Sequence, residues 1–162
     1  MSILRIRQAP LSLAPSKKRQ VRSQFGAICY RQSKGRVQIL LITSRGKGRW
    51  IIPKGWPIPG RTPAAAAGIE AYEEAGVEGK AHPLCLGIYG SSKGGLPCVV
   101  ALYAVEVTAL RRRFPEAGQR KRRWASPKTA AELVDSPELG QILARFSPEG
   151  LPPADRVRVP GR

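Results

Sequence analysis

Near the middle of this 162-residue chain lies the stretch Gly55-Trp-Pro-Ile-Pro-Gly-Arg-Thr-Pro-Ala-Ala-Ala-Ala-Gly-Ile-Glu-Ala-Tyr-Glu-Glu-Ala-Gly-Val77. Thr62 is a suitable helix N-cap, and Pro63 suits the first helical position. The four alanines at 64–67 are strong helix formers, and Gly76 favours a C-terminal stop. The stretch therefore predicts a loop rich in Pro and Gly, followed by a helix that begins after Thr62 and ends at Gly76.

Acidic residues are concentrated in and just after this helix, although the chain as a whole is strongly basic. Four of its eleven acidic residues are Glu70, Glu73, Glu74 and Glu78, whereas the formal net charge is +17. On a helix, the first three are spaced by i, i+3 and i, i+4 steps and project from one face. Like charges at this spacing repel, and anions are unfavourable near a helix C-terminus. This costly arrangement predicts that the carboxylates hold a divalent cation, since Mg²⁺ prefers oxygen ligands.

The stretch resembles the signature of the Nudix hydrolases. That signature consists of Gly, five residues, Glu, seven residues, Arg-Glu, an aliphatic residue, any residue, Glu-Glu, any residue, Gly and an aliphatic residue. The residues that match its fixed positions are Gly55, Glu70, Glu73, Glu74, Gly76 and Val77. The spacing of these matches is what makes the resemblance specific.

Two positions depart from the signature, and a third holds a smaller residue. Arg61 stands where the signature has its first Glu, and Ile69 stands where it has Arg. Ala71 replaces a larger aliphatic residue. The Ile69 departure removes a bidentate donor that could fix a neighbouring carboxylate. We interpret Arg61 as a positive charge at the entrance of the site, where it pairs with Glu70 or meets a substrate phosphate.

The order of elements along the chain agrees with this resemblance. Strand patterns precede the loop and helix, further strands follow, and helical patterns close the domain. This order suits a mixed sheet covered by helices on two faces. The resemblance implies an α+β Nudix fold, an α/β/α sandwich around a mixed β-sheet. We assign residues 22–146 to the Nudix domain, 1–21 to a basic flexible tail and 147–162 to a Pro-rich flexible tail.

The resemblance also implies which groups bind the metal. Glu73 and Glu74 are the implied carboxylate ligands, and the backbone carbonyl of Lys54 is an implied further oxygen ligand. Glu70 is either a ligand or the base that takes a proton from water. The expected cofactor is Mg²⁺, with Mn²⁺ as an alternative. We therefore predict Glu70, Glu73 and Glu74 as the catalytic residues. Glu106 is the later carboxylate that we expect to come closest to them.

Basic residues near this site are the predicted substrate contacts. Arg offers bidentate phosphate contacts, whereas Lys acts as a point charge. The resemblance extends to diphosphoinositol polyphosphate and diadenosine polyphosphate phosphohydrolases, carried by Trp50-Ile-Ile-Pro-Lys-Gly55, Glu73-Glu-Ala-Gly-Val-Glu-Gly79 and Lys121-Arg-Arg-Trp124. Alignment with such enzymes, together with the reasoning on Arg61, gives the set Arg22, Ser44, Arg45, Lys54, Arg61 and Arg122.

The charge balance limits the class of partner. Lys and Arg number 28 against 11 acidic residues, which favours phosphorylated small molecules or nucleic acid. The runs 111–113 and 120–123 could contact nucleic-acid phosphates, but no recognised nucleic-acid-binding motif accompanies them. The sequence has no long apolar run, so we expect no membrane span. We expect a cytoplasmic protein, with an organelle transit peptide as the alternative for its basic start. The oligomeric state is not indicated.

Two functions are consistent with these features. The first is a Mg²⁺-dependent hydrolase that cleaves a pyrophosphate linkage in a polyanionic substrate. A diphosphoinositol polyphosphate, a dinucleoside polyphosphate or another nucleoside diphosphate derivative would qualify. The second is a catalytically impaired Nudix-fold module that binds RNA or phosphorylated ligands. The two differ in metal dependence, because only the enzyme should require a divalent ion for its activity.

Overall fold

The structure is a computed structural model that describes residues 22–93 and 96–161. The predicted tail 1–21 lies outside these residues. The elements in chain order are β1 (Arg22–Ser33), β2 (Arg36–Thr43), β3 (Trp50–Ile51), β4 (Lys54–Gly55), α1 (Pro63–Ala75), β5 (Val77–Lys93), β6 (Leu96–Leu110), β7 (Arg122–Ala125), α2 (Pro127–Leu133), α3 (Pro137–Ala144) and β8 (Asp155–Arg156).

The strands form one mixed sheet. Its central order is β3-β2-β1-β6-β5-β8, with β4 paired to β1 and β7 paired to β2. Strands β1 and β6 run parallel, from the Arg22–Cys98 pair to the Tyr30–Glu106 pair, whereas the other strand pairs are antiparallel. The predicted mixed sheet is therefore confirmed.

The two faces of the sheet bury alternate residues of the same strands, because successive side chains of a strand point to opposite faces. On β1, Ala27 and Cys29 belong to the core that includes the alanines of α1. Ile28 and Tyr30 belong to the core that includes residues of α2 and α3. Helices thus cover both faces, and the predicted α/β/α sandwich is confirmed.

Helix α1 begins and ends where its sequence predicts. The Thr62 side chain accepts a hydrogen bond from the Ala65 N–H at 3.1 Å, which is the expected N-cap. Gly76 has a φ of +70°, and its N–H donates to the Tyr72 carbonyl at 2.9 Å. This left-handed conformation favours Gly at the stop, because a side chain there would be strained.

The structure differs from the prediction in the loop between β5 and β6. The Gly- and Ser-rich sequence of residues 90–95 predicts a flexible turn. Instead, the antiparallel pairing continues to Lys93 and Leu96, so only residues 94–95 lie between the strands. Gly and Ser within a strand are compatible with pairing when the partner strand supplies the register.

The C-terminal segment also differs from the expected loose tail. Strand β8 pairs with β5, and the Val157 N–H donates to the Gly79 carbonyl at 3.0 Å. The Val157 side chain lies against Gly68 of α1, where a Cβ at position 68 would overlap it. The Pro-rich composition predicts weak local structure, but these tertiary contacts fix the segment across α1.

Candidate functional site

Two of the predicted carboxylates, Glu70 and Glu74, lie where helix α1 passes strand β4. Gly55 pairs with Phe25 of β1, which holds the β4 backbone in the sheet. A Cβ at Gly55 would overlap the Glu70 carboxylate. Gly at position 55 therefore allows the Glu70 side chain to lie directly against the β4 backbone.

Glu74 approaches the same strand one turn further along α1. The Lys54 backbone N–H donates to Glu74 Oε2 at 3.4 Å. Burial is the largest influence on Glu74 and raises its pKa above the ordinary value of 4.5. The Arg120 guanidinium opposes this rise, whereas the Glu116 carboxylate adds to it. Glu74 is therefore a mostly buried acid whose charge depends on neighbouring cations and N–H groups.

A second group of residues, which the sequence did not predict, surrounds Glu74. Arg120 Nη2 lies 3.6 Å from Glu74 Oε1 and 3.5 Å from Glu116 Oε1, and Arg120 Nη1 donates to the Thr43 carbonyl at 3.0 Å. The Arg120 side chain is only 6% exposed. The Glu116 N–H donates to the Glu73 carbonyl at 3.0 Å. The sequence offered only a basic run as a signal, and that run also fits a solvated surface.

The donor atoms suit a hard divalent cation, because carboxylate and carbonyl oxygens are the ligands it prefers. Glu70 and Glu74 both reach the β4 backbone, so α1 gathers oxygen donors at one strand. Within residues 22–93 and 96–161, no three His, Cys, Asp or Glu side chains converge closely enough to hold a metal ion. An ion held by three carboxylates would therefore require at least one of them to rotate towards the others.

Three of the predicted substrate contacts lie on β1 and in the loop after β2. Arg45 Nη1 pairs with Glu116 Oε1 at 3.2 Å, which joins Arg45 to the Arg120 group. Ser44 Oγ accepts from the Arg49 N–H at 3.0 Å and so shapes that loop. The Arg22 guanidinium lies 5.9 Å from the Trp56 ring centroid, beside the Pro-rich loop.

The remaining predicted contacts have intramolecular partners. Arg61 Nη1 donates to the Arg158 carbonyl at 3.2 Å, in the C-terminal segment. Arg122 Nη1 donates to the Ala75 carbonyl at 3.0 Å, and burial lowers the pKa of its guanidinium. Lys54 contributes its backbone N–H to Glu74. The substrate roles of these residues stay predictions.

Glu106 lies away from the other carboxylates. It pairs in register with Tyr30 on β1, whereas Lys54 of β4 pairs with Gly26. The step of four residues along β1 from Gly26 to Tyr30 spans roughly 13 Å. Glu106 instead lines a cavity together with Tyr30 and Arg31. The later carboxylate that joins the site is Glu116.

Comparison with known proteins identifies the family. Residues 21–146 match the sequence profile of the NUDIX domain. The chain belongs to the Nudix hydrolase family. The predicted Nudix-type hydrolase is thereby confirmed, and Nudix hydrolases generally use divalent metal ions.

Relatives within the Nudix family support this assignment. Nudix hydrolase 12, mitochondrial, from Arabidopsis thaliana is 32% identical over 121 residues, which cover 68% of this chain and 59% of that protein. Human diphosphoinositol polyphosphate phosphohydrolase 3-alpha is 29% identical over 135 residues, 81% of each chain. The structure of a C. elegans Ap4A hydrolase binary complex superposes with a TM-score of 0.66 at 25% identity, covering 78% of this chain and 95% of that one.

The helices α1, α2 and α3 of this Nudix domain are 13, 7 and 8 residues long. In the part of the chain that the structure describes, none of them is long and apolar enough to cross a membrane.

We expect Gly55→Ala to displace Glu70 or strand β4, because the new Cβ would overlap the Glu70 carboxylate. The free energy of unfolding should fall by about 1–3 kcal/mol, as measured by urea denaturation. Gly90→Ala is the matched control, since a Cβ at Gly90 meets nothing within 4 Å. The control should be neutral or up to about 1 kcal/mol more stable. Equal effects of the two substitutions would contradict the steric role of Gly55.

The raised pKa of Glu74 predicts a specific pH dependence in metal-free buffer. The folded protein binds the Glu74 proton more tightly than the unfolded chain does. This contribution to stability is complete below the ordinary pKa of 4.5 and is lost as the pH rises through the folded pKa. Urea denaturation from pH 4 to pH 7 should therefore show Glu74→Gln gaining stability relative to wild type as the pH rises. A difference that stays constant would contradict the raised pKa.

Proposed function

We propose that this protein is a Mg²⁺-dependent hydrolase that cleaves a pyrophosphate linkage in a highly anionic substrate. One observation carries the proposal: within a Nudix domain, α1 brings the Glu70 and Glu74 carboxylates against the β4 backbone at Lys54 and Gly55. Oxygen donors at one strand are what a hard cation requires.

In this proposal, four groups of the chain supply the oxygen ligands of the metal ion. Glu70, Glu73, Glu74 and the Lys54 carbonyl would hold Mg²⁺, with Mn²⁺ as an alternative. When bound, such an ion neutralises phosphoryl charge and lowers the pKa of a coordinated water. Glu70 either adds a ligand or accepts the proton of the attacking water. Both roles remain open, because both fit its position beside Gly55.

Basic side chains around these carboxylates favour a substrate with several phosphates. Arg45 is an exposed cation on the same ion-pair network as Glu74, and Arg22 lies beside the Pro-rich loop. A +17 chain would also steer polyanions towards itself. The human relative is named a diphosphoinositol polyphosphate phosphohydrolase, and the C. elegans structure is of an Ap4A hydrolase. We therefore propose a diphosphoinositol polyphosphate, a dinucleoside polyphosphate or another nucleoside diphosphate derivative as the substrate.

Metal dependence tests the proposed function directly. We expect Mg²⁺- or Mn²⁺-dependent release of phosphate or nucleoside monophosphate from at least one member of a panel of inositol and nucleoside pyrophosphates. EDTA should abolish this turnover. Glu74→Gln should lower it by more than about 100-fold, since loss of an outer-shell partner alone typically costs 10–100-fold.

Glu132→Gln is the matched control, because Glu132 is an exposed acid on α2, outside the carboxylate site. It should retain wild-type turnover. Ligand binding that survives both EDTA and Glu74→Gln, with no turnover of any substrate, would instead support the catalytically impaired binding module.

Charge reversal at Arg61 tests its proposed contact with substrate phosphate. Arg61 is exposed, and the structure shows it donating to the Arg158 carbonyl. We expect Arg61→Glu to raise KM by roughly 10-fold with a smaller change in kcat, because the lost contact would act in substrate binding. A large gain in turnover would show instead that Arg61 impairs a site which prefers the Glu of the signature.

A further inference from the structure

The Nudix signature carries an Arg that this chain lacks. Ile69 occupies that position, and its side chain is only 1% exposed. An aliphatic side chain offers no hydrogen-bond donor. Helix α1 therefore carries no guanidinium at this position, and the guanidinium beside the mostly buried Glu74 comes from another segment.

Arg120 supplies the guanidinium that does reach Glu74. Arg120 comes from the segment between β6 and β7, and its Nη2 lies between the Glu74 and Glu116 carboxylates. We propose that Arg120 is the positioning residue for Glu74, and that it supplies from this segment the donor that Ile69 lacks. This inference rests on the proposed function, because it assigns Glu74 to a metal site.

The backbone around Arg120 is fixed to the end of β2. The Lys121 N–H donates to Thr43 Oγ1 at 2.9 Å, and the Thr43 N–H donates to the Lys121 carbonyl at 3.1 Å. Arg120 Nη1 binds the Thr43 carbonyl at 3.0 Å. One residue of the sheet therefore holds both the chain and the guanidinium, so the fork presents a defined direction to Glu74.

Glu116 links the same network to helix α1 at a second point. Its N–H donates to the Glu73 carbonyl at 3.0 Å, and its carboxylate accepts from Arg120 and pairs with Arg45. Arg120 thus lies between an acid of α1 and an acid that is hydrogen-bonded to α1. This arrangement restricts the rotation of Glu74 relative to the β4 backbone.

A purely stabilising role is a weak account of this arrangement. Burying a guanidinium is costly unless its donors are well paired. The Arg120 Nε–H is buried without a hydrogen-bond partner among the described residues, and the two carboxylate contacts of Nη2 are long. Incompletely paired buried groups in native proteins occur often where function requires them. An orienting role for Arg120 explains why the chain tolerates the cost.

Mn²⁺ affinity, measured through the EPR signal of free Mn²⁺ without substrate, tests this role. We expect Arg120→Gln to bind Mn²⁺ about 10-fold or more weakly than wild type, because Glu74 loses its orienting partner. Arg120→Lys keeps the charge without the planar fork and should bind about 3–10-fold more weakly. If Arg120→Gln does not fold, Arg120→Lys decides the question.

Arg111→Gln is the matched control. Arg111 pairs with Glu78 at 2.8 Å, so its loss also removes an Arg–Glu pair near the end of α1. The control should bind Mn²⁺ within about twofold of wild type, since this pair is partly exposed. Weakening by Arg120→Lys but not by Arg111→Gln would support the proposal.

Two results would overturn the positioning role of Arg120 while leaving the proposed function intact. The first is wild-type affinity in the folded Arg120 variants. The second is tighter Mn²⁺ binding in those variants, which would mean that Arg120 only repels the ion. If wild type itself binds no Mn²⁺, the proposed function fails, and the role of Arg120 in orienting a metal ligand fails with it.

Discussion

Close packing of α1 on the sheet is the constraint on which the rest of the site depends. The buried face of the helix consists of Ala64, Ala67, Ala71 and Ala75, and these residues share a core with Ala27 and Cys29 of β1. Small side chains let a helix approach a sheet closely, because no long side chain separates the two backbones. The carboxylates on the flank of the helix can then touch the β4 backbone. A larger residue on either surface would move them away from Gly55.

The same packing creates an electrostatic problem at the end of the helix. Carboxylates near a helix C-terminus face the negative end of its dipole, and Glu74 also loses water by burial. Arg122 donates to the Ala75 carbonyl in the last turn, and Arg120 lies beside Glu74. Two arginines from one distant segment thus compensate the acids and the dipole together. The basic run 120–123 therefore compensates charge at the end of α1, in addition to any contact that it makes with a partner molecule.

Local patterns in the sequence predicted the parts of the molecule that depend on local chemistry. Thr62 and Gly76 cap α1 as the sequence predicted. Alternate residues of the strands are buried in the two cores on opposite faces of the sheet. The signature also selected Gly55 and Glu70, which the fold brings into contact.

Contacts between distant segments were not predictable in this way, because no local rule links the acids of α1 to a side chain beyond β6. For Arg120, a member of a basic run, the sequence suggested only contacts with nucleic-acid phosphates, and Glu116 carried no signal of its own. The C-terminal segment was expected to be a flexible tail for the same reason. It is held by a contact between distant residues, because the Val157 side chain packs against Gly68 of α1.

The two departures from the Nudix signature have different structural consequences. Position 61 is exposed, and its Arg contacts the backbone of the C-terminal segment at Arg158. That segment crosses the flank of α1 that carries Gly68. Position 69 is buried, so its change removes a donor from within the helix itself. The change at position 69 therefore removes a guanidinium from the helix that carries Glu74, whereas the change at position 61 alters the surface at the entrance to α1. Signature departures need to be judged by what the fold places next to each position, because the missing chemistry can come from another part of the chain.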